Sequence, residues 1–128
     1  MPEFKKFLLL GALLAGLSIM LGAFAAHGLE KSLDNPRLIA NFDTAARYQF
    51  YHALGLIAVF ILSKYALNKR LLAASGWAML IGSLLFSGSL YVYVLSGVKA
   101  IAMITPIGGL IMFCAWVLLF LSARKLSA

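Results

Sequence analysis

Four long apolar runs, separated by short polar breaks, dominate the chain. The first, Phe7 to Ala26, carries no charge and one hydroxyl, Ser18. As a helix it is roughly 30 Å long, the thickness of the hydrocarbon core of a bilayer. The second run lies between Arg47 and Lys64, the third between Arg70 and Lys99, and the fourth between Lys99 and Arg124. The pattern predicts an all-α fold, a four-helix transmembrane bundle with spans at about 7–27, 46–63, 71–95 and 105–123. All 128 residues then form a single integral membrane domain. The second run is short, so Arg47 or Lys64 is expected to snorkel. The third exceeds the minimum span and is expected to tilt or protrude.

The one long connection, 28–46, has its own periodicity. Asn35-Pro36 reads as a helix start, with Asn as N-cap and Pro at the first helical position. Leu38, Ile39, Phe42, Ala45 and Ala46 recur at helical spacing, with Arg37, Asn41 and Asp43 between them. A short amphipathic helix over about 36–46 is expected on the outer surface, in a position to run on into the second span. A straight helix from Pro36 to Ser63 would be roughly 42 Å long, more than the core covers, so it is expected to bend or project. Asp43 and Arg47, spaced i and i+4, form a helix-stabilising pair.

Composition places the chain in the membrane class: 63% of residues are hydrophobic and only 12% charged. The net charge of +7 is not a nucleic-acid signal. Its cations flank apolar runs as Lys5-Lys6, Lys69-Arg70 and Arg124-Lys125 instead of sharing a solvated face. Lys5, Lys6, Lys64, Lys69, Arg70, Arg124 and Lys125 fall on the side of both termini; Lys31, Arg37, Arg47 and Lys99 fall opposite. Seven against four predicts both termini in the cytoplasm. The first run exceeds a usual signal-peptide core, so it is expected to be retained as a span. Cys114, the single cysteine, lies within the fourth run and is given no role. Small-residue pairs four apart (Gly11/Ala15, Ala12/Gly16, Ser18/Gly22, Gly22/Ala26, Ala78/Gly82) predict close helix packing, more within the bundle than at a dimer face; an oligomer stays open.

Polar groups inside the runs gather at one end. His27 closes the first span; Arg47, Gln49 and His52 open the second; Ser87, Ser89, Tyr91 and Tyr93 close the third; Thr105-Pro106 opens the fourth. Up-and-down topology puts all of them near the outer third of the membrane. Polar groups are costly in lipid, so such a layer is a functional-site hypothesis. Tyr48, Gln49 and His52 share a face of the second span, and Arg47 is turned about 140° from His52. Thr105 is expected to cap the fourth helix and Pro106 to start it, with Gly108 and Gly109 leaving bare backbone beside an anion-friendly helix end.

The candidate ligand-binding set is His27, Arg47, Gln49, His52, Ser87, Tyr91 and Thr105, with Pro106, Gly108 and Gly109 as helix-terminus and close-packing positions. The bland alternatives are satisfied interfacial histidines, serines bonded back to their own helix, and tyrosines of an aromatic belt. No carboxylate lies within a span, which weighs against a proton path, and no third ligand accompanies the two histidines, so no metal or cofactor is implied. No acid is placed to orient a serine–histidine pair, so an enzyme is not expected. The leading expectation is a non-enzymatic membrane protein whose outer-end cluster binds a lipid, a small ligand or a partner subunit. A small transporter or channel, and a haem-binding or other membrane enzyme, are the alternatives.

Four pieces carry a family resemblance: Gly22-Ala-Phe-Ala-Ala-His27-Gly28-Leu29, Arg47-Tyr-Gln-Phe-Tyr-His52-Ala53, Phe86-Ser-Gly-Ser-Leu-Tyr91 and Thr105-Pro-Ile-Gly-Gly109. In order, one per span, they resemble the YgdD/YwdK-like small membrane proteins, a domain-of-unknown-function family whose eukaryotic relatives are called transmembrane protein 256. The resemblance implies a bacterial plasma-membrane protein with four helices. It supplies no activity, but its signature residues are the polar and glycine residues that topology gathers at the outer end.

Overall fold

The structure, a computed structural model, describes residues 2–124; Lys125 of the last basic pair lies outside the described residues. Helix α1 spans Pro2–Phe24 and continues through a π-helical turn, Ala25–Leu29, into one last α turn, Glu30–Ser32. Helix α2 spans Pro36–Leu62, α3 spans Lys69–Ser96 and α4 spans Thr105–Ala123. A 3₁₀ helix, Lys99–Ile104, leads into α4. Among the described residues, four helices are long and apolar enough to cross a membrane. We call the end carrying residue 2 and the 63–68 turn proximal, and the end carrying 33–35 and 97–104 distal.

Local chemistry sets the helix ends. Asn35 caps α2 by accepting from Arg37 N–H at 3.0 Å, and Pro36 fills the first turn, where its missing donor costs nothing. Asn68 does the same for α3 through Leu71 N–H at 3.1 Å. Gly97, with φ 74°, takes the left-handed position that ends α3. The amphipathic segment from Pro36 is the first part of α2, continuous with the second apolar run. Thr105 departs from its expected role as a cap. It is already helical, its hydroxyl caps nothing, and its N–H donates to Ala102 O in the 3₁₀ turn. That turn occupies the helix start expected to favour an anion.

Each helix packs along its sequence neighbours, α1 on α2, α2 on α3 and α3 on α4. Within the most apolar stretch of each helix, 44% of α2 and 39% of α3 is buried inside the chain, against 17% for each of the first and last helices. The middle pair is therefore the centre, and α1 and α4 flank it with much of their surface uncovered. Cys114 shares that uncovered surface of α4.

Lipid is as apolar as a leucine side chain, so helices in a membrane are held by close packing and interhelical hydrogen bonds. Proximal packing is aromatic and aliphatic: Phe4, Phe7, Leu56, Val59, Leu72 and Met79 form one buried cluster. Phe7 fits there because Gly76 has no Cβ; one would stand 2.7 Å from the Phe7 ring. Gly108 brings α4 against the α3 backbone, where a Cβ would lie 2.8 Å from Phe86 Cα and 2.9 Å from Gly82 O. In α1, Gly11 meets Ala53 O of α2, whereas Gly16 and Gly22 have open space. The small-residue pattern of α1 is thus used on one side only.

Candidate functional site

The polar residues of the distal half are mostly bonded to one another and to backbone. Gln49 is buried and reaches two neighbours: Nε2 donates to Leu14 O of α1 at 2.7 Å, and Oε1 accepts from the Tyr91 hydroxyl of α3 at 2.7 Å. One side chain thus ties three helices. Ser87 Oγ donates across to Ala45 O of α2 at 2.7 Å, so this serine does not bond back to its own helix. Ser89 does bond back, to Phe86 O at 3.0 Å, and its Oγ also lies 2.5 Å from Thr105 Oγ1 of α4.

His52 links α2 to α4. Its Nδ1 lies 2.8 Å from Tyr48 O, and its Nε2 lies 3.0 Å from Trp116 Nε1. A carbonyl only accepts and an indole N–H only donates, so Nδ1 carries the proton and Nε2 accepts. Both ring nitrogens of this buried residue are engaged. Ligating a metal or haem through Nε2 would require breaking the Trp116 bond. Among the described residues, no buried side-chain nitrogen or oxygen lacks a partner.

Two expected members stand apart. His27 is exposed on the π-helical turn, whereas His52 is buried on α2. Arg47 is also exposed and donates to Asp43 Oδ2 through Nε at 2.9 Å and Nη2 at 2.5 Å. The expected single layer therefore separates into three groups: sealed interhelical bonds (Gln49, Tyr91, Ser87, Ser89, Thr105), the His52–Trp116 link, and exposed groups (Arg47, His27). Pro106 is exposed, Gly108 is buried against α3, and Gly109 faces a groove.

Grooves flank α2 on both sides in its distal half. The first, about 340 Å³, runs between α2 and α4. Thr44, Tyr48 and His52 form one wall, Gly109, Phe113 and Trp116 the other, and Phe86 of α3 lies between them. Its volume falls in the range of about 300–1,000 Å³ typical of small-molecule sites. Aromatic packing stiffens it: the Tyr48 and Phe86 ring centroids are 5.1 Å apart, and those of His52 and Trp116 are 5.7 Å apart. The second groove, about 210 Å³, lies between α1 and α2 and is lined by Ile19, Gly22, Asp43, Arg47, Phe50 and Tyr51. Arg47 and His52 thus serve opposite sides of α2, as their separation around the helix requires.

Trp116, Phe113 and Phe86 escaped the sequence reading because aromatic residues inside an apolar run carry no signal by themselves. The usable signal was spacing. Thr44, Tyr48 and His52 repeat every four residues along α2, and Gly109, Phe113 and Trp116 follow i, i+4, i+7 along α4. Each set lines one face.

The family profile described as "Protein of unknown function (DUF423)" matches residues 21–109. A UPF0382 membrane protein of Haemophilus influenzae is 43% identical over 122 residues, covering 94% of this chain and 95% of the relative. The UPF0382 membrane protein YwdK of Bacillus subtilis is 37% identical over 121 residues, covering 94% and 98%. One from Staphylococcus haemolyticus is 39% identical over 122 residues, covering 94% and 97%. No solved structure matches. With its four apolar helices and full-length similarity to these relatives, the chain belongs to the UPF0382 (DUF423) family of membrane proteins of unknown function.

Proposed function

We propose that this is a non-enzymatic integral protein of the bacterial plasma membrane, with both termini cytoplasmic, that holds the apolar part of an amphiphile in the groove between α2 and α4. The excess of Lys and Arg on the side of the termini supports this orientation, with the distal end as the outer one. The observation that carries the proposal is the aromatic groove of about 340 Å³ at that end. Non-catalytic use is supported by what the polar residues do. Ser87 and Ser89 engage backbone and Thr105, and His52 engages Tyr48 O and Trp116, so neither of these serines is activated by the histidine.

Trp116 makes the groove testable, because it lines it and only Trp77 competes in fluorescence. In a Trp77→Phe background, reconstitution with brominated lipid should quench Trp116 strongly. Filling the groove by Gly109→Leu should relieve that quenching. The Gly109 position has room for a Cβ, which would meet the Phe86 ring at 3.6 Å. Equal quenching in both proteins, with no lipid retained on purification, would refute the proposal.

A further inference from the structure

The second groove, on the other side of α2, differs in having charge at its mouth. Asp43 and Arg47 both line it, above Ile19, Phe50 and Tyr51. Their ion pair uses a single carboxylate oxygen, Oδ2, and two guanidinium nitrogens. Asp43 Oδ1 and Arg47 Nη1 take no part in it, and the Arg47 and Asp43 side chains are 64% and 43% exposed. A further cavity of about 260 Å³ adjoins at Asp43 and adds Glu30 from the end of α1. Three environments are thus contiguous: an apolar trough, a guanidinium, and a pocket with two carboxylates.

We propose that this composite site between α1 and α2 binds a zwitterionic phospholipid with a primary amine. The phosphate accepts from Arg47, the ammonium donates to Asp43 and Glu30, and an acyl chain lies along Ile19, Phe50 and Tyr51. Charge complementarity selects this occupant. An anionic headgroup without an amine meets Arg47 but also faces two carboxylates. A quaternary choline matches in charge but has no N–H to donate, whereas a primary ammonium has three. The site shares no residue with the groove between α2 and α4, so it stands or falls separately from the function proposed above.

The test is lipid retention by the intact protein, measured by native mass spectrometry after exchange into equal mixtures of phosphatidylethanolamine, phosphatidylcholine and phosphatidylglycerol with identical chains. The wild type should retain the ethanolamine lipid in preference to the glycerol lipid by about fivefold, the effect of one charged contact near a membrane surface, and should also prefer it to the choline lipid, which has the charge but no N–H donor. The double variant Asp43→Arg with Arg47→Asp keeps an i, i+4 ion pair and should fold, but should reduce the preference to parity. Gly109→Leu should leave the preference intact. Equal retention by the wild type, or an unchanged preference in the swapped variant, would overturn the proposal. Soluble phosphoethanolamine should not displace the lipid. If it does so at matching concentration, the ligand is a soluble phosphate ester and the lipid assignment fails.

Discussion

Gln49 and His52 lie three residues apart on α2, both buried and both hydrogen-bonded, yet they belong to different kinds of region. Gln49 points into the junction of α1, α2 and α3, where Leu14 O and Tyr91 close over it. His52 stands on the wall of an open groove, with Trp116 as its partner across the gap. The chemistry is alike in both places, since a polar group in lipid must find a partner. The difference lies in what surrounds the bond. At the junction, the amide is buried and both of its ends are taken by neighbouring helices. At the groove, Phe86 of α3 lies between α2 and α4, and one side-chain bond crosses an opening of about 340 Å³. Intramembrane polarity thus marks both the glue of the bundle and the edge of a candidate site, and position around one helix decides which.

Adjacent glycines offer the sharpest way to break this contrast. Gly108→Ala forces a Cβ against Phe86 Cα and Gly82 O and should destabilise by about 1–3 kcal/mol, seen as a lower unfolding temperature in detergent. Gly109→Ala, one residue on, enters groove space and should leave that temperature nearly unchanged. If both behave alike, the groove is not open. Next comes Gln49→Leu, which removes two interhelical bonds and should cost about 1–2 kcal/mol, with Tyr91→Phe accounting for roughly half.

His52→Leu should cost less, about 0.6 kcal/mol, but should change a different observable. In the Trp77→Phe background, the emission of Trp116 should shift when its N–H loses the His52 acceptor, whereas Gln49→Leu should leave it in place. A shift in both would mean that the two regions are mechanically one. The smallest effect is expected at Arg47. Its pair with Asp43 is exposed, so Arg47→Gln should not move the unfolding temperature, even as it weakens the lipid preference at the charged site.

Much of this was legible along the chain. Runs of apolar residues must become helices in lipid, because no other single segment satisfies its own backbone there. Asn35-Pro36 marked a helix start through local chemistry alone. The Asp43–Arg47 pair followed from i, i+4 spacing on one helix. The divergence of Arg47 from His52 also followed from helical rotation. Thr105 departs from the capping role for a tertiary reason: a 3₁₀ turn abuts α4, and the Thr105 hydroxyl turns to Ser89 of a neighbouring helix.

What the sequence determined by itself was the all-α class, the helix start at Asn35-Pro36 and the gathering of polar residues toward one end, because each depends on neighbours within a turn or on the cost of exposing backbone to lipid. What only the tertiary structure decided was the fate of each polar group. Whether a serine bonds back or across, whether a histidine has a free nitrogen, and whether a glycine lies against Phe86 backbone, as Gly108 does, or at ordinary distance from its ring, as Gly109 does, all depend on which helix lies opposite and how near. Residues more than thirty positions apart set those distances, as Gln49 with Leu14, Ser87 with Ala45 and Trp116 with His52 demonstrate.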